Sequence, residues 1–220
     1  SPAPKLVVTR AGAREVWRSE IRLRTKFTPI LLKGKEGHPI DYVPRAIYIV
    51  AYETLSGWAP HLHTSDLAVV FDESHVAKAW KRMERRVDSE GRRCFRALDN
   101  VSAHCRSLAH SAKRVLLLTA TPIPDRVRDL WAQLDLCEPQ CWGTFFEFAA
   151  RYCGAVRNEF GWDTTGSTMS EELGRRLDTL VYRVSQAEVN AHLPPLRRER
   201  IYLSPDTLSR PGEGMAQLMR

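Results

Sequence analysis

Four short apolar runs punctuate the chain, at residues 4–9, 46–50, 67–71 and 114–119, and each is close to continuous in Val, Ile, Leu and Phe. A strand covered on both faces needs that pattern, whereas a half-exposed strand alternates. Between the runs the apolar spacing is helical. From Ala11, the residues Val16, Trp17 and Ile21 gather on one side. Val76, Trp80, Met83 and Val87 recur at helical intervals, leaving Lys78, Lys81, Arg82, Arg85 and Arg86 opposite. After Ser89-Glu90-Gly91 a second stripe follows, through Cys94, Leu98, Val101, Cys105 and Leu108. Past Pro122-Ile123-Pro124, the residues Val127, Leu130, Trp131 and Leu134 predict a helix with Asp125 placed to cap it. Strands alternating with helices predict an α/β fold with a mainly parallel sheet between helices.

From about Trp142 the pattern becomes helical without strands: Phe145, Phe146, Phe148 and Ala149, then Leu173, Leu177, Leu180 and Val181. The stretch 161–167 reads as an ordered loop, residues 199–203 as a possible strand, and 204–220 as a linker or disordered tail. The expected organisation is therefore an α/β lobe over 1–141, a helical extension over 142–203, and the tail.

Composition narrows the class without choosing a function. The chain of 220 residues is 43% hydrophobic, enough for a substantial core. No apolar run approaches the ~20 residues that cross a bilayer, and Ser1-Pro2-Ala3-Pro4 is not a signal pattern, so the expectation is an intracellular protein, nuclear or cytoplasmic by source, with no membrane partner. Five cysteines contain no CxxC pair; Cys137, Cys141, Cys153 and His104 match no compact zinc spacing, and no metal-binding cysteine is assigned. The net charge of +7 is concentrated: residues 1–35 hold nine Lys/Arg against two Asp/Glu, and residues 78–114 hold eleven against four. Such patches suit a surface that tracks phosphates, or equally a solvated helix face.

The sharpest chemistry is Asp72-Glu73-Ser74-His75, directly after a buried run. The carboxyl end of a parallel sheet is where such folds place ligands. In an ATP hydrolase the first carboxylate holds magnesium, usually through water, and the second polarises the attacking water. Adjacent acids there can also cap the following helix. After the next buried run, Thr119-Ala120-Thr121-Pro122 sets two hydroxyls around a small residue, a turn able to bond the acidic segment and relay nucleotide state, or simply to cap a helix.

Asp-Glu-Ser-His and Thr-Ala-Thr-Pro together resemble motifs II and III of superfamily 2 helicases, and their flanks resemble the Swi/Snf-type DNA-dependent ATPases. Leu6-Val7-Val8 through Trp17 and Glu20-Ile21 is similar to that family's motif Ia. Residues 49–55 are similar to the segment before motif II, and residues 121–134 to its TPI-x-N-R-x-x-(D/E)-LW stretch. Residues 148–153, Gly161-Trp162-Asp163, Glu171-Glu172-Leu173 and residues 193–198 resemble the fork-remodelling, annealing-helicase branch. The resemblance spans roughly 5–203 and implies a RecA-like first motor lobe with a helical extension. It implies Asp72 as magnesium ligand, Glu73 as activator of water, and His75 as the link from hydrolysis to Thr119 and Thr121. Arg10, Arg14 and Thr54 fall in segments that in the family approach DNA. Trp17 and Trp131 are expected in the core, whereas Trp162 either pins its loop or faces a partner.

The sequence also departs from the pattern. No G-x-x-x-x-G-K-(S/T) occurs; in the family that phosphate loop precedes motif Ia, so it is expected ahead of residue 1. The second motor lobe is expected after the chain, in the same longer polypeptide or in a partner protein, and hydrolysis by this chain alone is expected to be negligible. The family's paired arginines appear as Tyr182-Arg183, so only Arg183 carries over, and the spacer from His75 to Thr119 is long. The leading expectation is part of an ATP-dependent translocase on double-stranded or forked DNA. The alternatives are a non-catalytic lobe that binds DNA or a partner, and a strand-unwinding helicase of restriction or phage-repair type.

Overall fold

The computed structural model describes residues 3–62, 66–78, 83–87, 93–97, 101–159, 161–184 and 188. The chain divides into two units, Ser1–Arg175 and Arg176–Arg220. In the first, five parallel strands form one sheet in the order β2-β3-β1-β4-β7. These are β1 (Lys5–Thr9), β2 (Thr28–Leu31), β3 (Ala46–Ala51), β4 (Ala68–Asp72) and β7 (Arg114–Leu118). The four apolar runs become β1, β3, β4 and β7, as the pattern predicts. The fifth strand, β2, has no long apolar run because it is an edge: it pairs only with β3, where Pro29 can sit without a full ladder.

Helices cover the sheet unevenly. On one face Leu6, Val8, Tyr48, Val50, Val69 and Phe71 pack against Leu55 and Trp58 of α2 (Leu55–Trp58) and Cys105 and Leu108 of α3 (Val101–Ser111). Val8 and Phe71 are fully buried, and each such side chain stabilises the fold by roughly 1.5–3 kcal/mol. On the other face α1 (Arg14–Arg24) lays Ile21 and Trp17 over Val7 and Ile49. Val16, expected beside them, is exposed because the contact stripe runs through Trp17 and Ile21, four residues apart. Beyond α1 this face is open: Val70 is half-buried and Leu116, on the edge strand β7, is 54% exposed.

The basic spacer differs most from its expected form. After a 3-10 turn over Ser74–Lys78 it forms an antiparallel ribbon of β5 (Met83–Val87) and β6 (Arg93–Ala97), not a helix. Met83 and Val87 are spaced for either element, and the Asp-Ser-Glu-Gly connection favours a hairpin. Cys94 thus belongs to a strand, Trp80 and Leu98 lie outside the described residues, and α3 takes only Val101, Cys105 and Leu108. Asp125 is likewise not the cap of α4 (Arg128–Cys137), whose first turn begins after Val127 without a side-chain cap.

Two further helices follow, α5 (Phe145–Tyr152) and α6 (Ser170–Leu177). Thr144 and Glu147 form a capping box on α5. Between them lies a short hairpin that the helical pattern did not predict, β8 (Val156–Asn158) with β9 (Gly161–Asp163). Thr164 is buried after it and accepts from Arg128 at 3.0 Å, and Arg151 makes a forked pair with Glu172. Trp162, exposed, lies tilted against Phe146 with ring centroids 6.2 Å apart. α6 stops at Leu177, so Leu180 and Val181 occupy an exposed turn instead of its apolar stripe. The expected strand at 199–203 and the tail lie outside the described residues. Among the described residues no helix is long and apolar enough to cross a membrane.

Two local contacts carry measurable shares of stability. Gly57 of α2 passes against the backbone of Lys35 so tightly that a Cβ would collide with its carbonyl oxygen, whereas nothing lies within 4 Å of a Cβ at Gly12. Gly57→Ala is expected to lower unfolding free energy by roughly 1–3 kcal/mol and Gly12→Ala by less than ~0.5 kcal/mol, read from urea denaturation. Buried Asp135 of α4 pairs with Arg106 of α3 at 2.7 Å and with His110 at 3.2 Å. Asp135→Ala should cost about 1.5–3 kcal/mol in the same measurement.

Candidate ATPase site

All eight residues singled out by sequence follow the carboxyl ends of parallel strands: Arg10 and Arg14 after β1, Thr54 after β3, Asp72, Glu73 and His75 at β4, and Thr119 and Thr121 after β7. Parallel strands bring those ends to one edge of the sheet.

Asp72 closes β4 with one carboxylate oxygen engaged. Oδ2 accepts from Thr9 Oγ1 and from Trp17 Nε1, each at 2.7 Å. Oδ1 has no partner among the described residues. The Tyr52 hydroxyl donates to the Asp72 carbonyl at 2.8 Å. Burial pushes the Tyr52 phenol far above its ordinary pKa, with nearby Cys105 and Asp72 adding to the effect, so it remains a donor.

Glu73 turns the chain out of the strand in a left-handed conformation, φ 51°. A non-glycine residue there costs of order 1–3 kcal/mol and persists only where its surroundings fix it. They do: the Val76 amide donates back to the Glu73 carbonyl at 2.9 Å, and the next residue, Ser74, is fully buried. The Glu73 side chain is 43% exposed, open to water at the sheet edge.

His75 joins the two motifs. Its Nδ1 lies 3.2 Å from Thr119 Oγ1 and 3.3 Å from Glu73 Oε2, while its Nε2 lies 3.4 Å from Arg10 Nη2. A guanidinium only donates, so the Arg10 contact suits the tautomer in which Nε2 accepts and Nδ1, facing Glu73 and Thr119, carries the proton. Thr119 Oγ1 also accepts the Thr121 amide at 3.1 Å, while the Thr121 side chain is exposed. The hydroxyl turn therefore meets the acidic motif through Thr119, and Thr121 enters through its backbone. Among the described residues Arg14 bonds its local carbonyl at Ala11, and Thr54 that of Ala51. Their two loops are tied by Ala11 N donating to Glu53 at 3.1 Å.

Sequence reasoning missed four contributors. Trp17, expected in the core, spends its indole N–H on Asp72; Thr9 and Tyr52 also hold that residue. Gln133 bridges the motifs from α4, accepting from Ser74 Oγ at 2.8 Å and donating to the Pro122 carbonyl at 2.6 Å. A polar residue within the apolar stripe of α4 was the only signal for it. Trp131 is buried as expected and donates to the Gly143 carbonyl. Among the described residues no His/Cys/Asp/Glu group is arranged to hold a metal by itself.

A parallel sheet with paired acids at its carboxyl edge, linked by a histidine to a hydroxyl turn, defines a helicase-like ATPase lobe. Residues 3–210 match the model of the SNF2-related domain, and the chain belongs to that family. It is 30% identical over 213 residues to the Caenorhabditis elegans homolog of the "SWI/SNF-related matrix-associated actin-dependent regulator of chromatin subfamily A-like protein 1", covering 93% of this chain and 28% of that protein. The Xenopus tropicalis protein of that name is 26% identical over 94% of this chain and 20% of its own length. The Bos taurus "DNA annealing helicase and endonuclease ZRANB3" is 33% identical over 60% of this chain and 11% of its own length. The chain thus spans well under a third of these relatives. In fold it matches the Sulfolobus solfataricus SWI2/SNF2 ATPase core in complex with dsDNA, with a TM-score of 0.61 at 19% identity over 86% of this chain and 36% of that one.

Gln133→Leu removes both bridging bonds and leaves the buried Ser74 hydroxyl unpaired. It is expected to destabilise the fold by about 1–3 kcal/mol, measured by chemical denaturation.

Proposed function

We propose that this chain is most of the first lobe of an ATP-driven translocase acting on double-stranded or forked DNA. Asp72 holds the magnesium ion of ATP, Glu73 activates the attacking water, and His75 passes the state of the nucleotide to Thr119 and Thr121. The observation that carries the reading is the convergence of these groups at one sheet edge, with His75 within reach of Glu73, Thr119 and Arg10 at once. Asp72 fits the metal: with Oδ2 taken up by protein donors, Oδ1 is a single hard oxygen, suited to an ion that keeps most of its water. When bound, magnesium would neutralise charge on the phosphate oxygens. Glu73, fixed in backbone yet exposed in side chain, is placed to orient a water and take its proton.

Arg10, Arg14 and Thr54 lie on adjacent loops of the same edge, an arrangement suited to phosphates and indifferent to sequence. The names of the ZRANB3 relatives and the DNA complex of the Sulfolobus core support that partner. The open edge of β7 and the uncovered Leu116 leave room for a further strand and helix that would complete the sheet and bring a phosphate loop beside Asp72. A second lobe would add the arginines that finish hydrolysis. Both come from the same longer polypeptide or from a partner protein. On this reading the lobe boundary falls near residue 141, and residues 142–203 lead towards the second lobe.

In the full-length protein Glu73→Gln is expected to lower the DNA-stimulated ATPase kcat by about 10²–10⁴-fold, with DNA affinity retained. Unchanged turnover would falsify the assignment.

A further inference from the structure

Asp72 is not left to choose its own orientation. A carboxylate turns easily about its last torsion, yet here two donors from different elements meet on the same oxygen. Thr9 Oγ1 arrives from the end of β1, where Thr9 is fully buried, and Trp17 Nε1 arrives from the second turn of α1, both at 2.7 Å. Hydrogen bonds to an ionised acceptor are roughly twice as strong as neutral ones. Together they fix the plane of the carboxylate, and Tyr52 fixes the backbone from which it projects. One oxygen is consumed and the other is left, among the described residues, without a partner.

The same short stretch reaches the other end of the motif. Arg10, seven residues before Trp17, contacts His75. An indole N–H withdrawn from water needs an acceptor, and a backbone carbonyl would serve as well as any. This one instead bonds the single acid whose geometry matters most to the metal.

We propose that Trp17, together with Thr9, is a positioning residue for the magnesium-binding carboxylate. By holding Oδ2, the pair fixes the direction in which Oδ1 would meet the ion, and magnesium tolerates little variation in the placement of its ligands. The inference rests on the reading of Asp72 as the magnesium acid.

The experiment is a titration of the full-length protein with Mn2+ in the presence of ADP, followed by electron paramagnetic resonance, so that no turnover is needed. Trp17→Phe and Thr9→Val are each expected to weaken Mn2+ binding by roughly tenfold, the equivalent of ~1.4 kcal/mol. Thr9→Ser, which keeps the hydroxyl, should restore the wild-type value. In ATPase assays the Mg2+ concentration for half-maximal rate should rise by the same factor, with kcat recovering at saturating Mg2+. Should Trp17→Phe lower the melting temperature enough to obscure binding, the contrast between Thr9→Val and Thr9→Ser carries the test. Wild-type Mn2+ affinity in both Trp17→Phe and Thr9→Val, alongside lost affinity in Asp72→Asn, overturns the positioning role alone. Undiminished binding in Asp72→Asn overturns the magnesium reading beneath it.

Discussion

The parallel pairing of β1 with β4, in register from Lys5↔Ala68 to Val8↔Phe71, sets where every functional group can be. One residue past that register, Thr9 stands beside Asp72, and their side chains bond. A slip of one position would turn Leu6 and Val8 from the α2–α3 face to the α1 face and carry Thr9 away from the acid. Burial prevents it, because Leu6, Val7 and Val8 are all almost fully enclosed, on alternating faces. The hydrophobic core thus acts as the ruler of the site: what holds the strand in register also holds the hydroxyl against the carboxylate.

From that centre the coupling spreads along the carboxyl edge through short polar contacts. Asp72 reaches α1 through Trp17, His75 reaches β7 through Thr119 and the β1 loop through Arg10, and Ser74 reaches α4 through Gln133. Three of the four consecutive residues therefore reach a separate element, while the Glu73 carboxylate, among the described residues, meets His75 within the motif. A motif wired in this way cannot shift at one position without disturbing several elements. Such a connected arrangement is what a two-state relay requires.

Much of this frame was legible in the sequence, for identifiable reasons. β1 and β3 are buried on both faces, and their continuous apolar runs follow from that; β4 and β7 carry the same kind of run although Val70 is only half-buried and Leu116 is exposed. The eight expected site residues needed only the strand ends to be placed correctly. Trp17 and Thr9 were not legible as site residues, because each sits in an apolar stretch where packing alone explains its presence and only three-dimensional proximity gives its polar atom a partner; Gln133 offered no more than a polar side chain on an otherwise apolar helix. β2 was missed because an edge strand of four residues lacks a two-sided apolar signal. The ribbon β5–β6 was mistaken for a helix because Met83 and Val87 satisfy either period, leaving the Gly91 connection as the deciding evidence.

Glu73 shows what the surrounding order supports. Its left-handed backbone is unfavourable for a side chain with a Cβ, and a glycine would relieve it. Glycine, however, carries no acid. The strain goes with the carboxylate: the chain leaves β4 sharply enough to bury Ser74 and turn His75 towards β7, while the residue at the bend keeps a carboxylate in water. The neighbours supply the compensation, through the Val76 amide on the Glu73 carbonyl, the Ser74–Gln133 bond and the clamp on Asp72 immediately before it. The rigid groups flank the bend on both sides, and the Glu73 side chain between them stays 43% exposed. Stability is concentrated around the acid so that the acid itself can remain accessible.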